Sequence, residues 1–121
     1  MANVKESLDK ILELEGAMGA CIVDSSSGMV LGSQGNGQVN LEIAAAGNTE
    51  VVRAKRKTIK ALDLKDNIED ILITLGRQYH IIRPLSSNDA LFIYAVLDKT
   101  RSNLAMSRHV LAEIDKNLIV R

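Results

Sequence analysis

The chain has little of what most often carries chemistry or recognition. It has a single cysteine, Cys21, no tryptophan, two tyrosines, one phenylalanine and one proline in 121 residues. One cysteine cannot close an intramolecular disulfide, which suits a reducing cytoplasm. So few aromatics leave almost no material for a platform on which bases could stack. Charge of one sign is also missing. Lys+Arg and Asp+Glu each number 15, so the formal net charge is zero. A basic footprint for nucleic acid is therefore absent, and no nucleic-acid partner is expected. No window approaches the ~18 apolar residues of a membrane span. Met1–Lys10 carries Lys5, Glu6, Asp9 and Lys10 without an apolar run, which is unlike a secretory signal. The expectation is a cytoplasmic protein with no membrane span.

A large hydrophobic fraction is what remains. At 46% hydrophobic over 121 residues, the chain can bury a sizeable core as one domain, 1–121. Val4, Leu8, Ile11 and Leu12 suit an amphipathic first helix, stopped at Gly16. Ala20–Val23 is a short apolar strand, Asp24–Gly28 a turn, and Met29–Leu31 a second strand. Gly32, Gly35, Asn36 and Gly37 then predict a flexible loop, and Asn40 is placed to cap a long helix, Leu41–Leu62. Ile71–Leu75 is β-branched and reads as a strand. Gly76-Arg77 fits a two-residue hairpin turn with glycine first, and Tyr79–Leu85 and Ala90–Leu97 follow as strands. Leu104, Ser107, Leu111, Ile114 and Leu118 predict a closing helix capped near Ser102 or Asn103. The order is α-β-β-α-β-β-β-α. Ala90–Leu97 is apolar throughout, so helices must cover both faces of the sheet.

The long helix is more apolar than one core requires. At ~100° per residue, Leu41, Ala44, Ala45, Asn48, Val52 and Ile59 form one stripe. Ile43, Gly47, Ala54 and Ala61 form another, with Val51 and Leu62 between. Together they span roughly 200°, about twice the stripe of a helix lying on a single surface. The excess predicts a second buried surface. The strand Ile71–Leu75 begins a three-strand meander, so it falls at a sheet edge, and it carries no proline or lysine to discourage pairing. A homodimer satisfies both features. Its expected interface is Leu41, Ala44, Ala45, Asn48, Val52, Ile59, Ile71 and Ile73, although spacing alone does not decide which helical stripe faces the sheet. The remaining polar arc, Arg53, Arg56, Lys57 and Lys60, is either a solvated face or a basic ridge for an acidic partner.

Candidate chemistry is weak. The run Gly28-Met-Val-Leu-Gly32-Ser-Gln-Gly35-Asn-Gly37 precedes a helix, but it lacks the Lys-Ser/Thr of a phosphate loop. Cys21 with His80 or His109 has no local signature of a nucleophile and base, and these three residues have no zinc spacing. No catalytic residue, cofactor or metal site is expected.

Several segments carry a resemblance in their order and spacing. They are Glu15-Gly16-Ala17-Met18-Gly19-Ala20-Cys21-Ile22-Val23-Asp24, Gly28–Leu31, Leu75-Gly76-Arg77-Gln78-Tyr79-His80-Ile81-Ile82-Arg83-Pro84-Leu85, and Leu91–Asp98 followed by Asn103–Arg108. They resemble the roadblock, or dynein light-chain-seven, family in its short single-domain form. The resemblance implies a profilin-like α/β sandwich. Its five-stranded antiparallel sheet has one helix on one face and two on the other. It also implies a homodimer formed by the second helix and third strand. The implied role is non-catalytic regulation or scaffolding of a small Ras-like GTPase or related NTPase, with a structural adaptor lacking any GTPase as the alternative.

Overall fold

The computed structural model describes residues 2–120. The elements are α1 (Val4–Leu12), β1 (Ala17–Asp24), β2 (Met29–Gly35), α2 (Leu41–Ala61), β3 (Ile71–Thr74), β4 (Gln78–Pro84), β5 (Leu91–Asp98) and α3 (Leu104–Asn117). The strands form one antiparallel sheet in the order β2-β1-β5-β4-β3. β3 is therefore an edge strand, as the meander predicts.

Two apolar layers hold the sheet. On one face α1 and α3 bring Leu8, Ile11, Leu111 and Ile114 onto Ala20, Ile22, Ile81, Ile93, Ala95 and Leu97. On the other, Ala45 and Val52 of α2 meet Cys21, Val23, Ile82, Phe92, Tyr94 and Val96. Successive residues of a strand point to opposite faces, so β5 feeds both layers, and Leu91–Leu97 is buried without a break. The result is a profilin-like α/β sandwich with one helix on one face and two on the other.

Local chemistry explains the helix ends. Asn3, Asn40 and Asn103 cap α1, α2 and α3, accepting from the N–H groups of Glu6, Ile43 and Met106 at 2.8, 3.1 and 2.9 Å. In α1 Glu6 returns the bond to the Asn3 N–H, completing a capping box. α2 ends in a Schellman closure. The Leu64 N–H donates to Ile59 O, the Asp63 N–H donates to Lys60 O, and Asp63 holds the left-handed turn at φ 53°.

Two expectations about glycine change. The segment Gly32–Gly35, predicted as loop, continues β2 and pairs with Gly19–Ile22. Strand is possible there because a Cβ on Gly32 would stand 2.6 Å from the Val4 side chain, and one on Gly35 would stand 3.0 Å from Gly19. Those glycines let α1 and β1 approach closely. Gly76-Arg77 does form the turn, closed by the Leu75 N–H donating to Gln78 O at 2.9 Å, but Gly76 does not adopt positive φ. Its glycine is not required by the backbone.

Candidate partner interface

The caps and the Ala45/Val52 contact fix the rotation of α2. The stripe containing Leu41, Ala44, Ala45, Asn48, Val52 and Ile59 is the one turned toward the protein's own sheet. Ala45 and Val52 have no exposed surface. Leu41 and Ala44 pack at the margin of the same core, and Asn48 and Ile59 are half-buried. Of the expected interface residues, Ala45 and Val52 are thus spent on the chain's own sheet, while Leu41, Ala44, Asn48 and Ile59 keep some exposed surface. The sheet is the larger apolar surface available to α2, and it takes the stripe with the bulkier side chains.

The other stripe is left outward. Ile43 is 71% exposed, Leu62 62% and Val51 36%, with Gly47, Ala54 and Ala61 exposed among them. Nothing lies within 4 Å of where a Gly47 side chain would begin. Apart from Thr58, whose hydroxyl donates to Ala54 O, this open helix face is apolar. α2 packs mainly on β1 and β2, so β3 and β4 of the same face lie beside it. Ile71 and Ile73 belong to that margin of the core and are only half-buried. The exposed stripe of α2 and the edge strand thus belong to the same side of the sandwich.

The basic arc divides. Arg53 donates to Ser26 O at 2.8 Å and pairs with Glu50 at 3.4 Å. Arg56 donates to Asp89 O and reaches Ser25 Oγ at 3.5 Å. Both arginines hold hairpin turns, β1–β2 and β4–β5, against the helix. Lys57 and Lys60 make no hydrogen bond or ion pair among the described residues, and they are the free part of the ridge. The spacing of Arg53 and Arg56 placed them on one flank of α2, but nothing local indicated that turn carbonyls would lie opposite.

A polar chain was also hidden from sequence reading. Tyr94 Oη lies 3.0 Å from His80 Nδ1, and His80 Nε2 lies 2.8 Å from Gln78 Oε1. The His80 and Tyr94 rings meet edge to face with centroids 5.5 Å apart. Burial pushes the Tyr94 hydroxyl up to about 12 and His80 down from its ordinary value. Asn48, a polar residue in an apolar arc, is half-buried.

Cys21 is buried, and desolvation pushes its thiol up to about 12. That is inert packing and the opposite of an activated thiolate. Among the described residues no hydrogen bond joins it to His80 or His109, and no cluster of three His, Cys, Asp or Glu could hold a metal ion. No described helix is long and apolar enough to cross a membrane.

A five-stranded antiparallel sheet carrying one helix on one face and two on the other, in this order, is the roadblock fold. The chain superposes on the roadblock/LC7 domain from Streptomyces avermitilis with a TM-score of 0.81 at 9% identity, covering 96% of this chain and 94% of that one. MglB from Myxococcus xanthus gives 0.81 at 13% identity, over 93% and 89% of the two chains. The gliding protein MglB from Thermus thermophilus gives 0.70 at 18%, over 94% and 89%. Neither a protein-family profile nor any curated protein matches the sequence. Identities this low speak to the fold.

Proposed function

We propose that the protein is a homodimeric, non-catalytic regulatory or scaffold subunit, a single roadblock-type domain over 1–121, that binds a small Ras-like GTPase or related NTPase. The outward apolar stripe of α2 beside the open edge of β3 carries this reading. Ile43, Gly47, Val51, Ala54 and Leu62 supply the helical part of the self-association surface. Ile71 and Ile73 supply the strand part. A twin helix would cover the stripe, and the backbone of β3, unpaired on its outer side, would pair with its copy. Three of the structural neighbours are MglB proteins, one of them described as a gliding protein, which supports a regulatory role. An inert thiol and a histidine engaged by Tyr94 and Gln78 favour binding over catalysis, and the composition favours the cytoplasm.

Lys57 and Lys60 are the free charges on the polar arc of α2, and they are where an acidic partner would dock. The test has two parts. Sedimentation of the unmodified protein at micromolar concentration should give a dimer, and a monomer would refute the assembly. Immobilised protein should then retain a guanine-nucleotide-binding protein in only one of its GTP and GDP states, less so with Lys57→Glu and Lys60→Glu together. Retention that ignores the nucleotide favours the adaptor reading instead.

A further inference from the structure

Of the asparagines in this chain only Asn36 is followed by glycine. The following residue matters because its backbone nitrogen can close a succinimide ring on the asparagine's own side-chain carbonyl carbon. Every other asparagine precedes valine, leucine, threonine, isoleucine or aspartate, whose side chains crowd that approach. The fold leaves the Asn36–Gly37 pair open. Both residues are exposed, just beyond the end of β2, on the connection that leads to α2. Gly37 has φ 82°, a left-handed conformation that favours glycine, and nothing lies within 4 Å of where a side chain would begin. Its N–H makes no hydrogen bond among the described residues, whereas the Asn36 N–H is tied to Met18 O at 3.0 Å. The Gln38 N–H donates to Asn36 Oδ1 at 3.0 Å. This Asx turn folds the side chain back over the Gly37 peptide. The same donor draws electron density from Cγ and stands where an oxyanion forms when Cγ is attacked.

We propose that Asn36 is a site of spontaneous covalent modification, converting in the folded protein to a mixture of isoaspartate and aspartate. The Gly37 nitrogen gives its proton to hydroxide and attacks Asn36 Cγ. The bond from Cγ to the side-chain nitrogen then breaks, and ammonia leaves. The succinimide so formed takes up one water. Opening at the side-chain carbonyl gives aspartate. Opening at the main-chain carbonyl routes the backbone through Cβ and gives isoaspartate. Nothing is oxidised or reduced, and water is the only co-reactant. The formal net charge, zero in the unmodified chain, becomes negative by one carboxylate. In the isoaspartyl form the link from β2 to Asn40, the cap of α2, is one main-chain atom longer. The change therefore enters the molecule at the start of the helix that carries both the inner contacts of Ala45 and Val52 and the outward stripe. The reaction needs no partner and does not depend on the homodimer reading.

Incubation of the folded protein at 37 °C, at pH 6.0 and pH 8.5, followed by anion exchange and peptide mapping, tests it. One more acidic form should accumulate, faster at the higher pH because the attacking group is the deprotonated amide. Its mass should be that of an amide exchanged for an acid, and the isoaspartate should map to position 36. Asn36→Gln keeps the amide but sets its carbonyl one carbon too far for the same ring. That variant should remain unconverted, with the far-UV circular dichroism of the wild type. An acidic form that maps to another asparagine overturns the inference, as does an Asn36→Gln protein that gains charge as fast as the wild type. A folded protein that stays intact while the same chain unfolded in guanidinium chloride converts also overturns it, because the fold would then shield the pair.

Discussion

Val51 and Val52 are neighbours in sequence, and the structure assigns them opposite surfaces. Val52 has no exposed area and packs on the sheet, whereas Val51 is 36% exposed on the outward stripe. Val52→Ala removes two methyl groups from the core. At ~0.8 kcal/mol per buried methylene plus a cavity contribution, less the better helix propensity of alanine, the loss is about 2 kcal/mol. Unfolding entropy of about 2.1 cal/mol/K per residue over 121 residues is about 0.25 kcal/mol/K, so Tm should fall by about 8 °C. Association should be unaffected. Val51→Glu places a good helix former at a partly exposed site and should change the stability of the separated chain by less than about 0.5 kcal/mol. In a dimer the same carboxylate is buried without a partner at a cost of several kcal/mol, raising the dissociation constant at least about a hundredfold. Any thermal loss in Val51→Glu should be limited to what the wild type also loses on dilution, because it comes only from mass action. Thermal unfolding at two protein concentrations, beside sedimentation, separates the two effects. A Val51→Glu protein that still sediments as a dimer, or a Val52→Ala protein with an unmoved Tm, refutes the division of α2 into inner and outer faces.

Other perturbations have equally direct outcomes. Asp115 is buried on α3, pairing with Arg83 at 3.1 Å and accepting from the Ser86 N–H at 2.9 Å, so Asp115→Ala should cost about 3 kcal/mol in urea unfolding by stranding both donors. Asp63 occupies the left-handed position that closes α2, and Asp63→Gly should raise stability by about 0.5–1 kcal/mol by removing the steric penalty at φ 53°. Gly16 at φ 87° abuts Ser102 and the backbone of Arg101, and Gly16→Ala should lower stability by about 1–3 kcal/mol.

Some of this molecule could be read directly from its residues. Periodicity is a local property, so the three helices and five strands emerged in the right order. The caps Asn40 and Asn103 and the buried strand Leu91–Leu97 follow from chemistry within a few positions, and the meander placed β3 at the edge. The glycines of β2 were misread as loop for the opposite reason. Glycine marks both turns and close approaches, and the Val4 side chain that makes Gly32 a close approach lies 28 positions away in the chain.

The sequence by itself determined that the apolar arc on α2 is about twice as wide as one packing surface requires. It could not tell which stripe faces inward, because both are apolar and periodicity carries no direction in space. Tertiary structure decided it: the sheet took Ala45 and Val52 and left Ile43, Val51 and Leu62 outside. The structure likewise turned half of the basic ridge into ties for two hairpins and joined Tyr94, His80 and Gln78 into one chain across β5 and β4. Apart from the neighbours Gln78 and His80, those partners are far apart in sequence, and only the folded register brings their polar atoms within hydrogen-bonding reach.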